Sequence, residues 1–517
     1  MASNHNPHEI SNAENDAKLF PETGQGDQVL LESMGYSAEL SRTRTTLQVA
    51  FMAFVLGSIP FGLTTNFYQP LVGGGPANII WGWVGVSFIV LCVAASLGEI
   101  TSVCPTAGGV YHQTFVLSTA KWRRPASWTC GWLYVVGNIT ITLSVNFLAT
   151  LFIISCLNIF ETSPGVGIFP NEPYQVYLIF LGITILCNVV SSMGNRWLPI
   201  LDMVAMLWTL VGVTAFIVCI LVIAKDGRND VEHVFTEFKP LSGWPAGWSF
   251  CIGLLQAAYG TSSTGMIISM CEEVLEPWIQ VPKAMVATVG INFCAGLFIL
   301  IPLVFVLPDA TTLTGNTQPV PTIVKEATGS SGGAFALLIP LMVLGLLCGI
   351  CCTTATSRAV WAFARDGAIP GSSLWKQVNN SKINGVPFNA MMMSMTVQLL
   401  LGLIYFGSSA AFNAFSNVGV VCLTASYAVP IAVSLAEGRT KVKAGEFYLG
   451  QLGIFCNVMA LSWSLLTIPL FCMPATIPVD KDSMNYASVV FVASILIAIG
   501  WYIVWGYKNY VGPLHSI

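Results

Sequence analysis

Two short stretches of the chain carry residue types that could bind a solute without any charged side chain. The first combines two glycines and a proline inside an apolar segment, and its members are Gly57, Ser58, Ile59, Pro60, Phe61 and Gly62. Proline removes a backbone donor and glycine adds backbone freedom, so a helix should be interrupted here. Lipid cannot satisfy the freed N–H and C=O groups, which must face protein, water or a bound solute. A packing kink is the alternative, because glycine and proline are common in membrane helices.

The second stretch begins at Tyr259 and continues with small and hydroxyl residues, namely Gly260, Thr261, Ser262 and Ser263. Hydroxyl side chains can re-satisfy backbone groups where a helix unwinds. N-termini of half-helices would offer N–H groups to a carboxylate, and exposed carbonyls would accept hydrogen bonds from an ammonium group. The combination favours a zwitterion or a small amine. Tyr259 and Phe61 could contact that solute through their rings, and packed aromatic side chains are the alternative for both.

Both stretches belong to a chain with the composition of a membrane protein. Of its 517 residues, 54% are hydrophobic and only 9% are charged, whereas soluble proteins carry about 25% charged residues. The net charge of −4 argues against a nucleic-acid partner. The 15 cysteines are scattered through apolar segments and show no spacing of a disulfide framework or a zinc site. We therefore expect an integral membrane protein without a metal or other cofactor.

Twelve apolar segments are long enough to cross a bilayer, which predicts an all-α polytopic fold. They cover residues 46–69, 77–99, 126–156, 174–192, 198–224, 247–270, 285–307, 334–363, 389–406, 410–434, 449–473 and 486–507. Residues 1–45 are polar and predict a disordered tail, in which Lys18 is a candidate ubiquitin acceptor or an ordinary solvated side chain. Residues 508–517 form a second, short tail, so the membrane domain is expected over 46–510.

The distribution of basic residues predicts the orientation of these spans. Five of the 21 Lys and Arg residues fall in loops on the side opposite the N-terminus: Lys225, Arg228, Lys239, Lys325 and Lys481. Cytoplasmic loops carry the excess of basic residues. Both termini are therefore expected in the cytosol.

The two interrupted stretches fall in spans one and six, which are five spans apart and enter the membrane from opposite sides. Paired interruptions in corresponding positions of two halves indicate the binding site of a transporter. We therefore expect two five-span inverted repeats, over residues 46–224 and 247–434. The remaining two spans, over 449–507, are appended to them.

Further motifs follow one another in a specific order. They are Gly74-Gly75-Pro76, Ser96-Leu97-Gly98-Glu99-Ile100, Pro105-Thr106-Ala107-Gly108-Gly109-Val110-Tyr111, Glu272-Glu273-Val274-Leu275-Glu276-Pro277, Val281-Pro282-Lys283-Ala284 and the run from Ser357-Arg358 to Arg365-Asp366-Gly367-Ala368-Ile369-Pro370. The set resembles the amino acid–polyamine–organocation (APC) superfamily. More narrowly, it is similar to the amino acid/choline transporter branch, which includes the fungal GABA and choline permeases. The resemblance covers roughly residues 40–510.

The resemblance implies a LeuT/APC-type fold that works by alternating access around broken helices 1 and 6. It implies a substrate site over residues 57–62 of span one and over Tyr259 to Ser263 of span six. Tyr259 stands where relatives often have a gating Trp or another aromatic residue, a departure that makes a quaternary-ammonium cage less certain. Asn138 of span three is a further candidate contact, and a helix–helix hydrogen bond is its alternative.

Charged and hydroxyl residues near the cytoplasmic end offer further candidates. Glu99 and Arg358 are candidate gate residues, with interfacial anchoring as the alternative. Asp202 of span five is a functional candidate as an intramembrane acid, although its shallow position near Arg196 favours a structural pair. Thr353 and Thr354 of span eight could supply oxygens to a sodium site, with packing as the alternative. Proton coupling is what the resemblance implies.

The sequence therefore predicts a permease that moves a small amino acid, a GABA-like amino acid or a choline-like amine across a membrane, and we expect the plasma membrane. A nutrient sensor on the same fold is the alternative, which short tails disfavour. An enzyme is not expected, because the histidines at positions 5, 8, 112, 233 and 515 form no ligand pair within a span.

Overall fold

The computed structural model describes residues 31–32, 36, 39–40, 45–163, 166–170, 172–193, 197–224, 228–313, 315–378, 385–480 and 483–513. Lys18, Arg196 and most of the predicted tail 1–45 lie outside these residues. Within them, the only strands are β1, Glu161–Ser163, and β2, Val166–Gly167, which pair antiparallel. The rest of the regular structure is helical, which confirms the predicted all-α class.

Eleven helices of the described chain are long and apolar enough to cross a membrane. The first is formed by α1, Thr46–Gly57, together with α2, Ile59–Thr65. The others are α4 Pro76–Val103, α6 Arg123–Leu157, α7 Pro173–Met193, α8 Leu198–Ile223, α12 Pro277–Phe305, α15 Ser331–Arg365, α17 Phe388–Gly402 with the 3-10 helix Leu403–Phe406, α18 Ser409–Ala436, α19 Gly450–Leu470, and α20 Ala487–Trp501 with the π-helix Tyr502–Gly506 and α21 Tyr507–Asn509.

The predicted sixth span is divided into short pieces. Helix α10, Ala246–Gly253, is followed by α11, Leu255–Thr261, and by the 3-10 helix Ser262–Glu273. Each piece is too short to cross a membrane alone. The predicted total of twelve spans and the inverted repeat remain predictions.

Short helices connect the spans. They are α3 Tyr68–Gly74, α5 Gly109–Leu117, α9 Val231–Thr236, α13 Ala310–Leu313, α14 Pro319–Thr328, α16 Ser372–Trp375 and the 3-10 helix Lys441–Ala444.

Burial separates central from peripheral helices. Helices α6 and α15 are the longest of the described chain at 35 residues each, which agrees with the long third and eighth spans read from the sequence. The apolar window of α6 is 83% buried, whereas that of the last span is 11% buried. Peripheral helices expose large apolar side chains, as at Leu465 and Val504. Apolar surface of this kind suits contact with lipid tails. Helix α15 packs against α6, α1 and α2, and α1 packs most extensively against α12.

Candidate functional site

The break between α1 and α2 is one residue wide and lies at Ser58. Its backbone has φ 38° and ψ 51°, a left-handed conformation that non-glycine residues rarely adopt. The Ser58 amide still donates to Phe54 O at 3.0 Å, and its carbonyl accepts from Gly62 N at 2.9 Å. Pro60 is tolerated because it occupies the first turn of α2, where its missing N–H is not needed. Within the described residues the fully buried Ser58 hydroxyl has no hydrogen-bond partner.

Three glycines allow the broken span to approach α11. A Cβ added to Gly62 would lie 3.6 Å from Gly260 Cα, and one added to Gly57 would lie 3.7 Å from Gly260 O. The same Gly57 position is 2.9 Å from the Nδ2 of Asn292, a residue of α12. Asn292 is 7% exposed, and its Oδ1 accepts no hydrogen bond within the described chain. The break is therefore bordered by two buried polar side chains, Ser58 and Asn292.

Sequence reasoning missed Asn292. Asn292 could have been identified as a candidate, because an amide in the middle of an apolar span faces the protein interior more often than lipid. The sequence does not show which span the Asn292 side chain faces. That requires the packing of α12 against α1.

The hydroxyl residues of the sixth span satisfy backbone carbonyls. The Thr261 Oγ1 donates to Ala257 O at 2.8 Å, and the Ser262 Oγ donates to Tyr259 O at 2.8 Å. The backbone stays in the right-handed helical region and changes from α to 3-10 winding at Ser262. Ser263 is buried at 7% exposure. The interruption here is thus a change of helix type that the hydroxyl side chains stabilise.

Tyr259 joins three helices through its hydroxyl. It hydrogen-bonds the Ser144 Oγ of α6 at 3.1 Å, and Ser144 hydrogen-bonds the Ser416 Oγ of α18 at 2.5 Å. Ser416 and Leu255 also line a cavity of about 320 Å³. We define the N-terminal end of the bundle as the end at which α1 begins, and this cavity lies toward the opposite end. The hydroxyl chain therefore links Tyr259 to the lining of this cavity.

Other predicted site residues take part in packing. The Phe61 ring is 1% exposed, meets Phe152 edge-on at 6.1 Å and covers Gly345 of α15. The Asn138 Nδ2 donates to Tyr134 O of its own helix at 2.7 Å. No bond from this side chain to another helix occurs in the described part of the chain, where its Oδ1 has no partner.

Ile59 is fully buried and lies near Gly57. The two threonines of α15 donate within that helix, Thr353 to Gly349 O at 2.8 Å and Thr354 to Ile350 O at 2.9 Å. The Thr354 Oγ1 also hydrogen-bonds the Ser191 Oγ of α7 at 2.8 Å. The sodium site at these two residues remains a prediction.

Buried ion pairs close the N-terminal end of the bundle. The Arg358 Nε donates to Glu273 Oε1 at 2.8 Å, and Arg365 makes a two-pronged contact with Glu272 at 2.9 and 3.0 Å. Both pairs join α15 to the 3-10 helix Ser262–Glu273. Glu272 also accepts from the amide of Ala107 at 3.0 Å. The sequence made Arg358 a candidate gate residue, with interfacial anchoring as the alternative. Its partner Glu273 lies 85 positions away and was not assigned from the sequence.

The two acids expected near this end have separate partners. Glu99 accepts from the Arg439 Nη2 at 2.5 and 2.6 Å and from the Leu449 amide at 2.7 Å. Asp202 is 1% exposed, and its Oδ1 accepts from the Cys351 Sγ of α15 at 3.3 Å. Arg196, the partner expected for Asp202, lies outside the described residues. No group of three metal-ligating side chains occurs in the part of the chain that was described.

Long apolar helices, two interrupted spans and buried uncharged polar groups at the interruption define a polytopic α-helical membrane protein. Residues 45–495 match the sequence model of the family described as amino acid permease. The chain belongs to this family, within the APC superfamily. It is accordingly an integral membrane transporter rather than an enzyme, as the sequence motifs predicted.

Curated relatives extend over nearly the whole chain. It is 27% identical to amino-acid permease BAT1 of Arabidopsis thaliana, over 97% of this chain and 99% of the relative. It is 30% identical to a choline transporter of Saccharomyces cerevisiae, over 89% and 80% of the two chains. It is 28% identical to a GABA-specific permease of Saccharomyces cerevisiae, over 95% and 86%.

Proposed function

We propose that the protein carries a small amino acid or a GABA-like amino acid across the plasma membrane by alternating access, with a choline-like amine as the alternative cargo. The observation that carries this proposal is the pair of buried side chains at the break, Ser58 and Asn292, whose oxygens lack partners within the described residues. A buried polar group without a partner costs free energy. A solute with both donors and acceptors would supply the missing hydrogen bonds.

The charge of the site favours a solute of low net charge. Residues 46–98, 125–160, 246–271, 284–305 and 333–357 contain no Asp, Glu, Lys or Arg. Helix α8, which also packs against α1, contributes one buried carboxylate, Asp202, which accepts a hydrogen bond from the Cys351 thiol. A polyamine with several ammonium groups would find only this one carboxylate, so most of its charge would be uncompensated, which is costly. A zwitterion carries its own counter-charge. The names of the relatives include amino-acid, GABA and choline carriers and also a polyamine carrier. The preference against polyamines therefore rests on the charge of the site alone.

The aromatic residues favour a carboxylated solute over choline. A quaternary ammonium is held by several ring faces. Phe61 instead packs against Gly345 and Phe152, and the Tyr259 hydroxyl is engaged by Ser144. Choline therefore remains the second candidate cargo.

Alternating access is supported by the difference between the two ends of the bundle. The cavity of about 320 Å³ lies toward one end, and the buried pairs Arg358–Glu273 and Arg365–Glu272 hold the other end together. The positive-inside rule assigns the N-terminal end to the cytosol. We infer that this conformation is the outward-facing one. Protons are the proposed coupling ion on the strength of the family resemblance, with sodium at Thr353 and Thr354 as the alternative.

The test is uptake of labelled solutes by a permease-deficient yeast that expresses the chain at its surface. The panel holds GABA, proline, neutral and basic amino acids, choline and a polyamine, each with and without a protonophore. Uptake of a carboxylated solute, abolished by the protonophore, is the expected result. Uptake of choline alone would select the alternative cargo, and uptake of the polyamine alone would contradict the charge argument. Absence of any uptake would favour a sensor.

A matched pair of variants tests the site. Asn292→Ala should raise the KM for the cargo, because it removes an amide beside the break. Asn457→Ala is the control, since Asn457 of α19 is also buried and its Oδ1 also lacks a partner within the described residues. Equal KM values for the two variants would remove Asn292 from the site.

A further inference from the structure

Three described residues that precede α1 lie against the N-terminal end of the bundle. Leu31 and Tyr36 are each 3% exposed and pack with Trp278, the second residue of α12. Leu40 is 6% exposed and belongs to the main core. These residues fall within the region whose composition predicts a tail. Leu31, Tyr36 and Leu40 thus contribute buried side chains to the closed end.

Tyr36 makes polar contacts there in addition to packing. Its hydroxyl lies 3.0 and 3.2 Å from the two carboxylate oxygens of Asp366, to which it donates. The Arg365 guanidinium lies 4.0 Å from the centre of the Tyr36 ring, and the His112 ring meets it edge-on at 5.9 Å. A hydroxyl on a carboxylate and a cation over a ring are both stronger out of water. Tyr36 is therefore held from two directions by the end of α15.

Asp366 connects this contact to the rest of the closed end. It also accepts from the Tyr111 hydroxyl of α5 at 2.7 Å. Its neighbour Arg365 is bound by Glu272 of the 3-10 helix Ser262–Glu273. One cluster thus joins four elements: the N-terminal segment, α5, the 3-10 helix and α15. Separation of any of them at this end would break the cluster.

We propose that Tyr36 is a gating residue, and that its side chain must leave Asp366 and Arg365 before the N-terminal end can open. The inference rests on the alternating access proposed above. Tyr36 acts as a positioning residue, since it holds the gate residues together and does not line the break at Ser58. The closed end is therefore completed by a part of the chain that precedes the first span.

Cys271 offers a reporter for this gate within the native sequence. It is fully buried and directly precedes Glu272. Its thiol should react with N-ethylmaleimide only when the 3-10 helix separates from α15. The experiment measures the labelling rate of Cys271 by mass spectrometry in the full-length protein, purified into lipid nanodiscs.

The informative variant is Tyr36→Phe, which keeps the ring over Arg365 and removes only the hydroxyl. Loss of a hydrogen bond to a charged group should raise the labelling rate of Cys271 roughly tenfold. Tyr448→Phe is the matched control. Tyr448 also lies over an arginine, with Arg439 5.3 Å from its ring, and its hydroxyl makes no hydrogen bond in the described chain. The control should label like the wild type.

A double variant separates gating from a general loss of packing. In an Asp366→Asn background the Tyr36→Phe change should have a smaller effect, because the charged acceptor is gone. An equal effect in both backgrounds, or a labelling rate in Tyr36→Phe that equals the control, would overturn the proposal. Failure of the proposed function is distinguishable, since it would abolish uptake of every solute while the labelling response to Tyr36→Phe persisted.

Discussion

Acidification at the N-terminal end should favour the closed gate through Asp366. Burial, opposed by Arg365, Tyr111 and Tyr36, raises the pKa of this carboxyl from its ordinary value of 3.8 to about 6. If the end opens, water reaches the carboxyl and its pKa returns toward the ordinary value. The closed state therefore binds a proton more tightly than the open state.

The direction and size of the effect follow from these two pKa values. At about pH 7 the carboxyl is ionised in both states, and its burial disfavours the closed one. As the pH falls through about 6 toward the ordinary pKa, protonation of the closed state removes this penalty. Between about pH 7 and pH 5 the ratio of closed to open molecules should rise roughly tenfold, with roughly a twofold rise by pH 6.

The assay measures the labelling rate of Cys271 at about pH 7, 6 and 5 in the wild type and in Asp366→Asn. The result is expressed as the ratio of the wild-type rate to the rate of the variant. The ratio cancels the intrinsic pH dependence of the thiol. The ratio also cancels the effect that the other titratable groups around this cluster have on the pH dependence of labelling, because both proteins retain them. These groups are Tyr36, Glu39, Tyr111, His112, Glu272, Arg365 and Tyr510. The ratio should fall as the pH falls. A ratio that is constant, or that rises on acidification, would refute the assignment of a raised pKa to Asp366 in the closed state.

Two further predictions concern the break and the ion pairs. Gly57→Ala should reduce uptake strongly, because its Cβ would lie 2.9 Å from the Asn292 amide. Gly260→Ala should be tolerated, because the nearest atom to its Cβ would lie 3.5 Å away. Comparable uptake by both variants would contradict the tight approach at Gly57. Arg358→Met should destabilise the purified protein by about 3–5 kcal/mol because Glu273 would be left as a buried charge. Addition of Glu273→Gln should restore much of the loss in a thermal unfolding assay, and no restoration would mean that the pair is not an isolated unit.

The interruption of the first span could be predicted because its causes are local. Glycine and proline act on their own backbone, so the stretch from Gly57 to Gly62 was sufficient to predict a break. The structure locates it at Ser58, a residue whose type gave no such signal. The sixth span was harder, because hydroxyl side chains can either stabilise an unwound segment or, as here, bond back to preceding carbonyls.

The partners of the charged residues could not be predicted because they are distant in sequence. Tyr36 and Asp366 are separated by 330 positions, and Glu99 and Arg439 by 340. Glu272 and Glu273 were visible as an acidic motif, but only the packing of helices aligns them with Arg365 and Arg358. The charged residues at the closed end could therefore be identified from the sequence, whereas their ion-pair partners required the fold.

The Arg358–Glu273 pair also bears on how the chain enters the membrane. An arginine at the centre of an inserting helix costs about 2.5–3.5 kcal/mol on insertion scales, and one near the end of the helix, as in α15, costs less. Glu273 precedes Arg358 by 85 positions, so translation delivers the acid first and the arginine afterwards. The same order holds for Glu272 and Arg365, which are 93 positions apart. During biogenesis each arginine of α15 thus arrives after its counter-charge, and loss of either acid should hinder membrane integration of α15 before it affects transport.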